Sequence, residues 1–173
     1  MGHDFCADLV EWTNKLIADS EADWSSTGAQ GAKGWFNGYW NITDDPNGEY
    51  GVDDFIPFLN DGSGVPETNP VEVNHWTGST WDFEGNPPWT FMTPTQTHPN
   101  GDNNVTAHAT VRRYCANRDG TVVITWSTRK QNTGGGNGVT GILVVDGVEL
   151  DRATIAGNDG AGVSRSLCAS VSA

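Results

Sequence analysis

Eight Asn-Gly or Asp-Gly dipeptides punctuate the 173 residues of this chain, and they constrain its fold more than any other feature. Asn-Gly stands at 37–38, 47–48, 100–101 and 137–138, and Asp-Gly at 61–62, 119–120, 146–147 and 159–160. Such pairs supply the positive φ angles that tight reversals demand, and they are the strongest short-range signal for a hairpin. Between them lie short runs rich in β-branched residues. In Thr121–Ser127, Val122, Ile124 and Trp126 fall on one face. Val139–Val145 meets Asp146-Gly147 and returns over Val148–Ala156, which predicts a hairpin. Residues 163–171 alternate Val163, Arg165, Leu167, Ala169 and Val171 with Ser164, Ser166, Cys168 and Ser170, the period of a half-buried strand. Residues 105–115 alternate in the same way, with Val105, Ala107, Ala109 and Val111 on one side. Five strands with no helix between them predict an all-β, antiparallel β-sandwich.

One helix is expected ahead of the strands. Over residues 4–20, Phe5, Leu9, Trp12 and Leu16 recur at helical steps with Asp8, Glu11, Asn14 and Lys15 elsewhere. The expected organisation is therefore a helical segment, 1–23, docking on a sandwich domain, 24–173. The stretch 44–99 is harder to read. It holds all eight prolines, and only 53–59, 70–76 and 89–92 suggest strands. Long irregular stretches of this kind are usually functional loops.

Charge narrows the partners. Twenty-two acids against nine bases give a net charge of −13, which disfavours a nucleic-acid backbone or an anionic lipid surface. No apolar run is long enough for a membrane span. Met1-Gly2-His3-Asp4 shows no basic-then-apolar leader, as in a chain whose leader has been removed. Cys6, Cys115 and Cys168 lack metal-type spacing. One disulfide at most can form within the chain; a Cys115–Cys168 pair and free buried thiols are both open readings.

Aromatic residues carry the first candidate site. Trp35-Phe36-Asn37-Gly38-Tyr39-Trp40 and the set Trp76, Trp81, Trp89 and Phe91 fall in the loop-rich half. Sugar rings present C–H faces that stack on flat aromatic rings. Trp76, Trp81, Trp89, Tyr39 and Trp40 are thus the candidate carbohydrate-binding residues, against the alternative that large rings fill a small core. Trp12 and Trp126 sit on regular apolar faces and are assigned to the core.

The second candidate is an acidic loop, Asp44–Asp54, with five carboxylates and the amide of Asn47 in eleven residues. Asp44, Asp45, Asn47 and Asp53 would suit a structural calcium ion, although the spacing is not that of an EF-hand. A solvated acidic turn is the alternative. His75, His98 and His108 lack the spacing that would tie them to one metal. Arg112, Arg113, Arg118, Arg129 and Lys130 place five of the nine bases within nineteen residues, and pairing with internal Asp is expected. Gly136–Gly141 matches G-x-G-x-x-G, but strand-forming residues follow it where a nucleotide fold needs a helix. No nucleophile elbow or zinc-protease motif is present, and catalysis is not expected.

Asn37-Gly-Tyr-Trp-Asn41, Gly85-Asn-Pro-Pro-Trp89, His98-Pro-Asn-Gly101, Arg112-Arg-Tyr114 and Gly138-Val-Thr-Gly141 followed by Asp146-Gly147 resemble a domain of large secreted or surface proteins of environmental bacteria. That domain is similar to jelly-roll carbohydrate-binding modules. The resemblance implies a jelly-roll-like sandwich, an extracellular or cell-surface location, and a final strand that the chain lacks after Val171-Ser-Ala173 or completes with a neighbour's. It carries no ligand residues. The first reading is a non-catalytic module that binds a polysaccharide or glycan. The second is a structural or adhesive subunit that self-associates through an open sheet edge. A glycan-cleaving enzyme is third.

Overall fold

The computed structural model describes residues 15–45, 47–64, 74–85 and 87–173. The protein is all-β, and every strand pair is antiparallel. Residues 16–115 form one compact unit, and residues 116–173 make up a second.

In the first unit, β1 (Trp35–Asn41) lies between β2 (Ile56–Pro57) and β6 (His108–Tyr114). A second small sheet joins β3 (Trp81–Asp82), β4 (Phe91–Met92) and β5 (Thr97–His98) in that order. A single turn of 3₁₀-helix, Val52–Asp54, precedes β2. The core is aromatic: Phe58, Trp76, Trp81 and Met92 are buried, with Trp24, Tyr39 and Phe83 packed against them. Phe58 and Trp81 stack with centroids 5.9 Å apart and planes 11° from parallel. Each such ring removes roughly 150–250 Å² from water, so a few of them replace the many aliphatic residues this chain lacks. Two buried histidines complete the packing. His75 and His108 lie 4.3 and 5.5 Å from Phe83, and burial pushes both imidazoles below their ordinary pKa.

The second unit contains β7 (Gly120–Thr128), β8 (Gly138–Val145), β9 (Val148–Ala156) and β10 (Val163–Val171). The expected hairpin is present as the β8–β9 pair, with Asp146 and Gly147 both at positive φ (49° and 79°) in its turn. β7 pairs with β10 from Gly120↔Val171 to Thr128↔Val163. The face of β7 read from the sequence, Val122, Ile124 and Trp126, is its less exposed face. Trp126 joins the two strand pairs. Its ring lies against Gly141 of β8, where an added Cβ would come within 2.8 Å, and its Nε1 donates to Asp151 Oδ2 of β9 at 3.1 Å.

Several expectations change. No α-helix occurs among the described residues. Residues 4–14 of the expected helix lie outside them, and 15–20 are irregular, with Leu16 and Ile17 exposed. The local reason is Asp19, whose Oδ1 accepts from Glu21 N and Ala22 N and so closes a turn at the backbone groups a helix would use. Of the expected strand 70–76, residues 70–73 are likewise outside the described residues. Asn37-Gly38 is not a reversal but the middle of β1. Cys115 is a free, exposed thiol and Cys168 is disulfide-bonded, so the two are not partners. The basic cluster does not pair with Asp among the described residues, whose ion pairs are Lys33–Asp23, Arg152–Glu149 and Arg165–Asp151. Arg112 and Arg113 lie over aromatic rings instead, on Trp24 at 5.4 Å and Phe55 at 5.6 Å.

Candidate functional site

The β3–β4–β5 sheet sorts its side chains by alternation. Asp82 pairs with Phe91, and Phe91 with His98, so these three form a row on one face. Trp81 and Met92 form the opposite row and are fully buried. The ladder runs on past β3, because Phe83 N donates to Thr90 O at 3.2 Å. The next outward pair is therefore Glu84 and Trp89. Asp82, Glu84, Gly85, Trp89, Phe91 and His98 together line an open groove of about 420 Å³.

Leading into β4 the usual sorting is inverted. Thr90, a polar residue, is fully buried, while Trp89 is 47% exposed and Phe91 half-buried. Thr90 is satisfied inside by His108, with Oγ1 and Nδ1 2.9 Å apart. An exposed tryptophan opposite a buried threonine is not explained by the core, and large exposed apolar surface is informative in this situation. Trp89 is the only exposed tryptophan among the described residues.

Trp89 is also held in place. Its backbone N–H donates to Asn100 Oδ1 at 3.0 Å. Asn100 is itself buried, donates through Nδ2 to Thr106 O and accepts from Asn104 Nδ2 at 3.0 Å. Phe91 and His98 stack with centroids 5.4 Å apart and planes 21° from parallel. Asp82 Oδ1 accepts from Glu84 N at 2.8 Å, and Glu84 takes a positive φ of 48°, a region that non-glycine residues seldom occupy. The groove thus offers a flat indole, a stacked Phe–His pair and two carboxylates on a short sheet.

The expected stacking residues divide accordingly. Trp89 lies in the groove. Trp76 and Trp81, 5% and 0% exposed, are core residues and present no face to a ligand. Trp40 is buried with its Nε1 donating to Asp45 Oδ2 at 2.9 Å. Tyr39 packs against Phe58, Phe83 and His108, and burial, then the charge of Asp44, raises its phenol pKa. These four were expected at the surface because they adjoin glycine- and proline-rich loops; in a chain short of Leu and Ile they are what the core is made from. Asp82 and Glu84 were not singled out from the sequence. Their signal is the run Trp81-Asp82-Phe83-Glu84, in which rings and acids alternate with the period of a strand.

The acidic loop is organised by its own hydrogen bonds. Asp44 Oδ2 accepts from Asn41 Nδ2 at 2.8 Å, Asp45 Oδ1 from Asn47 N at 3.0 Å, and Asn47 Oδ1 from Glu49 N at 2.7 Å. Asp53 stands apart on the 3₁₀ turn. Among the described residues no three His, Cys, Asp or Glu side chains are grouped to hold a metal ion. A larger groove of about 750 Å³ on the same unit is lined by Phe36, Phe55, Leu59, Arg113 and Cys115 among others. Arg113 covers the Phe55 ring there.

Fold and groove together define an all-β protein with a solvent-facing aromatic platform on a three-stranded sheet. No family model, curated protein or solved structure matches the chain.

Proposed function

We propose that this protein is a non-catalytic, extracellular carbohydrate-binding module whose glycan stacks on Trp89. The observation that carries the reading is the exposed indole of Trp89, 47% accessible, beside Asp82 and Glu84 in a groove of about 420 Å³. Groove volumes of roughly 300–1,000 Å³ are those of small-ligand sites, and carboxylates are good acceptors for sugar hydroxyls. A jelly-roll-like sandwich is the finer architecture proposed with it, supported by antiparallel pairing throughout. The disulfide at Cys168 supports an oxidising, extracellular location.

The test is affinity electrophoresis and pull-down against a panel of insoluble and soluble polysaccharides, with Trp89→Ala and Trp89→Phe beside the parent. Retardation by at least one polysaccharide, lost in Trp89→Ala and partly kept in Trp89→Phe, is expected. Binding that survives Trp89→Ala would move the site elsewhere, and no binding by the parent would end the reading. Release of reducing ends from the same panel would turn the module into an enzyme.

A second reading has its own observation. The strands β7, β9 and β10, nine residues each, belong to two-stranded sheets, so each has one edge unpaired among the described residues. Unpaired edges of this length invite a neighbour's strand. Concentration-dependent assembly in light scattering would favour a structural or adhesive subunit; a monomer at all concentrations would remove it.

A further inference from the structure

The charge of the Trp89 groove is one-sided. Its ionisable walls are Asp82, Glu84 and His98, and no Lys or Arg lines it. Among the described residues, Glu84 takes no hydrogen bond or ion pair through its carboxylate, and Asp82 uses Oδ1 alone, on Glu84 N. The two acids are one strand-period apart and face the same side as Trp89. A neutral sugar would use them only as acceptors, and a uronate or sulfated sugar would be repelled. A sugar that carries a cation satisfies both halves of the groove. Its C–H face covers the indole, and its ammonium meets the carboxylates.

Resting on the carbohydrate reading above, we propose that the groove selects amino sugars with free, protonated amines, as in a deacetylated hexosamine polymer. Charge complementarity carries this choice: a net charge of −13 draws such a polymer in, and Asp82 and Glu84 fix its amine at the platform. An exposed ion pair adds up to about five-fold in affinity, so two carboxylates yield a preference of about five- to ten-fold over the N-acetylated counterpart.

The experiment measures binding of the full chain, by calorimetry and tryptophan fluorescence, to four probes at about pH 7, where an amine of this kind is largely protonated and a free imidazole is largely neutral. The probes are a glucosamine tetramer, its fully N-acetylated form, a galacturonate tetramer and tetralysine. The expected order is glucosamine tighter than N-acetylglucosamine by about five- to ten-fold, with galacturonate weakest. The double variant Asp82→Asn, Glu84→Gln should bring the glucosamine tetramer down to the affinity of the acetylated one. Trp89→Ala should weaken both. Equal or tighter binding of the acetylated tetramer by the parent overturns the amino-sugar inference and leaves the carbohydrate reading standing. Failure of the parent to bind any of the three sugars overturns the inference, and failure on the polysaccharide panel as well removes the carbohydrate reading. Tetralysine bound as tightly as the glucosamine tetramer, with no loss in Trp89→Ala, also overturns the inference, since charge alone would then be what the groove reads.

Discussion

Replacing Gly38 by alanine tests how the first unit is assembled. Gly38 sits in the middle of β1, facing Pro57 across the β1–β2 pair. A Cβ added there would lie 2.2 Å from the carbonyl oxygen of Ile56 and 2.8–2.9 Å from the ring of Phe55. Ordinary contact begins near 3.4 Å, so β2 would have to retreat by about 1.2 Å. That strand is not free to move. Phe58 N donates to Asn37 O at 3.0 Å, and the Gln30 amide bridges Asn37 O and Phe58 O at 2.7 Å each. Just beyond lies the fully buried Phe58 ring. Overpacking costs about 1–3 kcal/mol, and losing one or two of these hydrogen bonds adds about 0.5–1.5 kcal/mol each. The expected destabilisation is therefore about 1.5–6 kcal/mol, a large part of the ~5–15 kcal/mol that holds a domain together. Urea denaturation followed by tryptophan fluorescence measures it. Gly48→Ala is the control, since its Cβ meets nothing within 4 Å and only its positive φ of 68° is strained; about 1 kcal/mol is expected. Equal costs at the two positions, or less than about 1 kcal/mol at Gly38, would refute the close-approach argument.

Three further outcomes are expected. His75 and His108 are held neutral by burial, with pKa values below the ordinary 6.5. The unfolded chain therefore takes up their protons first, and stability is full above pH 6.5 and falls as pH drops from there through the folded values. Urea midpoints between about pH 8 and 5 check this, and the double variant His75→Gln, His108→Gln should flatten the slope across that window. Asp151→Ala removes the acceptor of Trp126 Nε1 and the partner of Arg165 Nη1, 3.1 and 2.5 Å away, and should cost about 1–3 kcal/mol in thermal or urea unfolding. Alkylation of the native protein without reductant should label Cys115 and leave Cys168 untouched, as read by peptide mapping.

The strands of the second unit were legible in the sequence because each of their signals is local. Asp146-Gly147 needs only its own φ angles to turn, and β7 and β10 display their alternation over nine residues each. The first unit was less legible, for a physical reason that Asn37-Gly38 illustrates. The dipeptide that makes a turn also lets two backbones approach closely, and which role it takes depends on Ile56, eighteen residues away. His75 and His108 were read as separate residues, and only the fold brings both against Phe83.

Tryptophan poses the same problem for function, and here the strand period supplies the missing discriminator. Proximity to glycine and proline loops placed Trp76, Trp81 and Trp89 in one class, although two of them are core and one is surface. Register separates them. Trp81 alternates with acids, so the ring faces inward where Asp82 and Glu84 cannot. Trp89 alternates with Thr90, and one of the two must face water. Packing alone would send the threonine out. The reverse arrangement holds because His108 meets Thr90 Oγ1 in the interior and Asn100 fixes the Trp89 backbone at the rim. Two buried polar side chains, Asn100 and His108, thus keep one large apolar ring in solvent. On the reading proposed above, the ring held outside is the stacking platform, and the carboxylates beside it are the groups that would select the sugar.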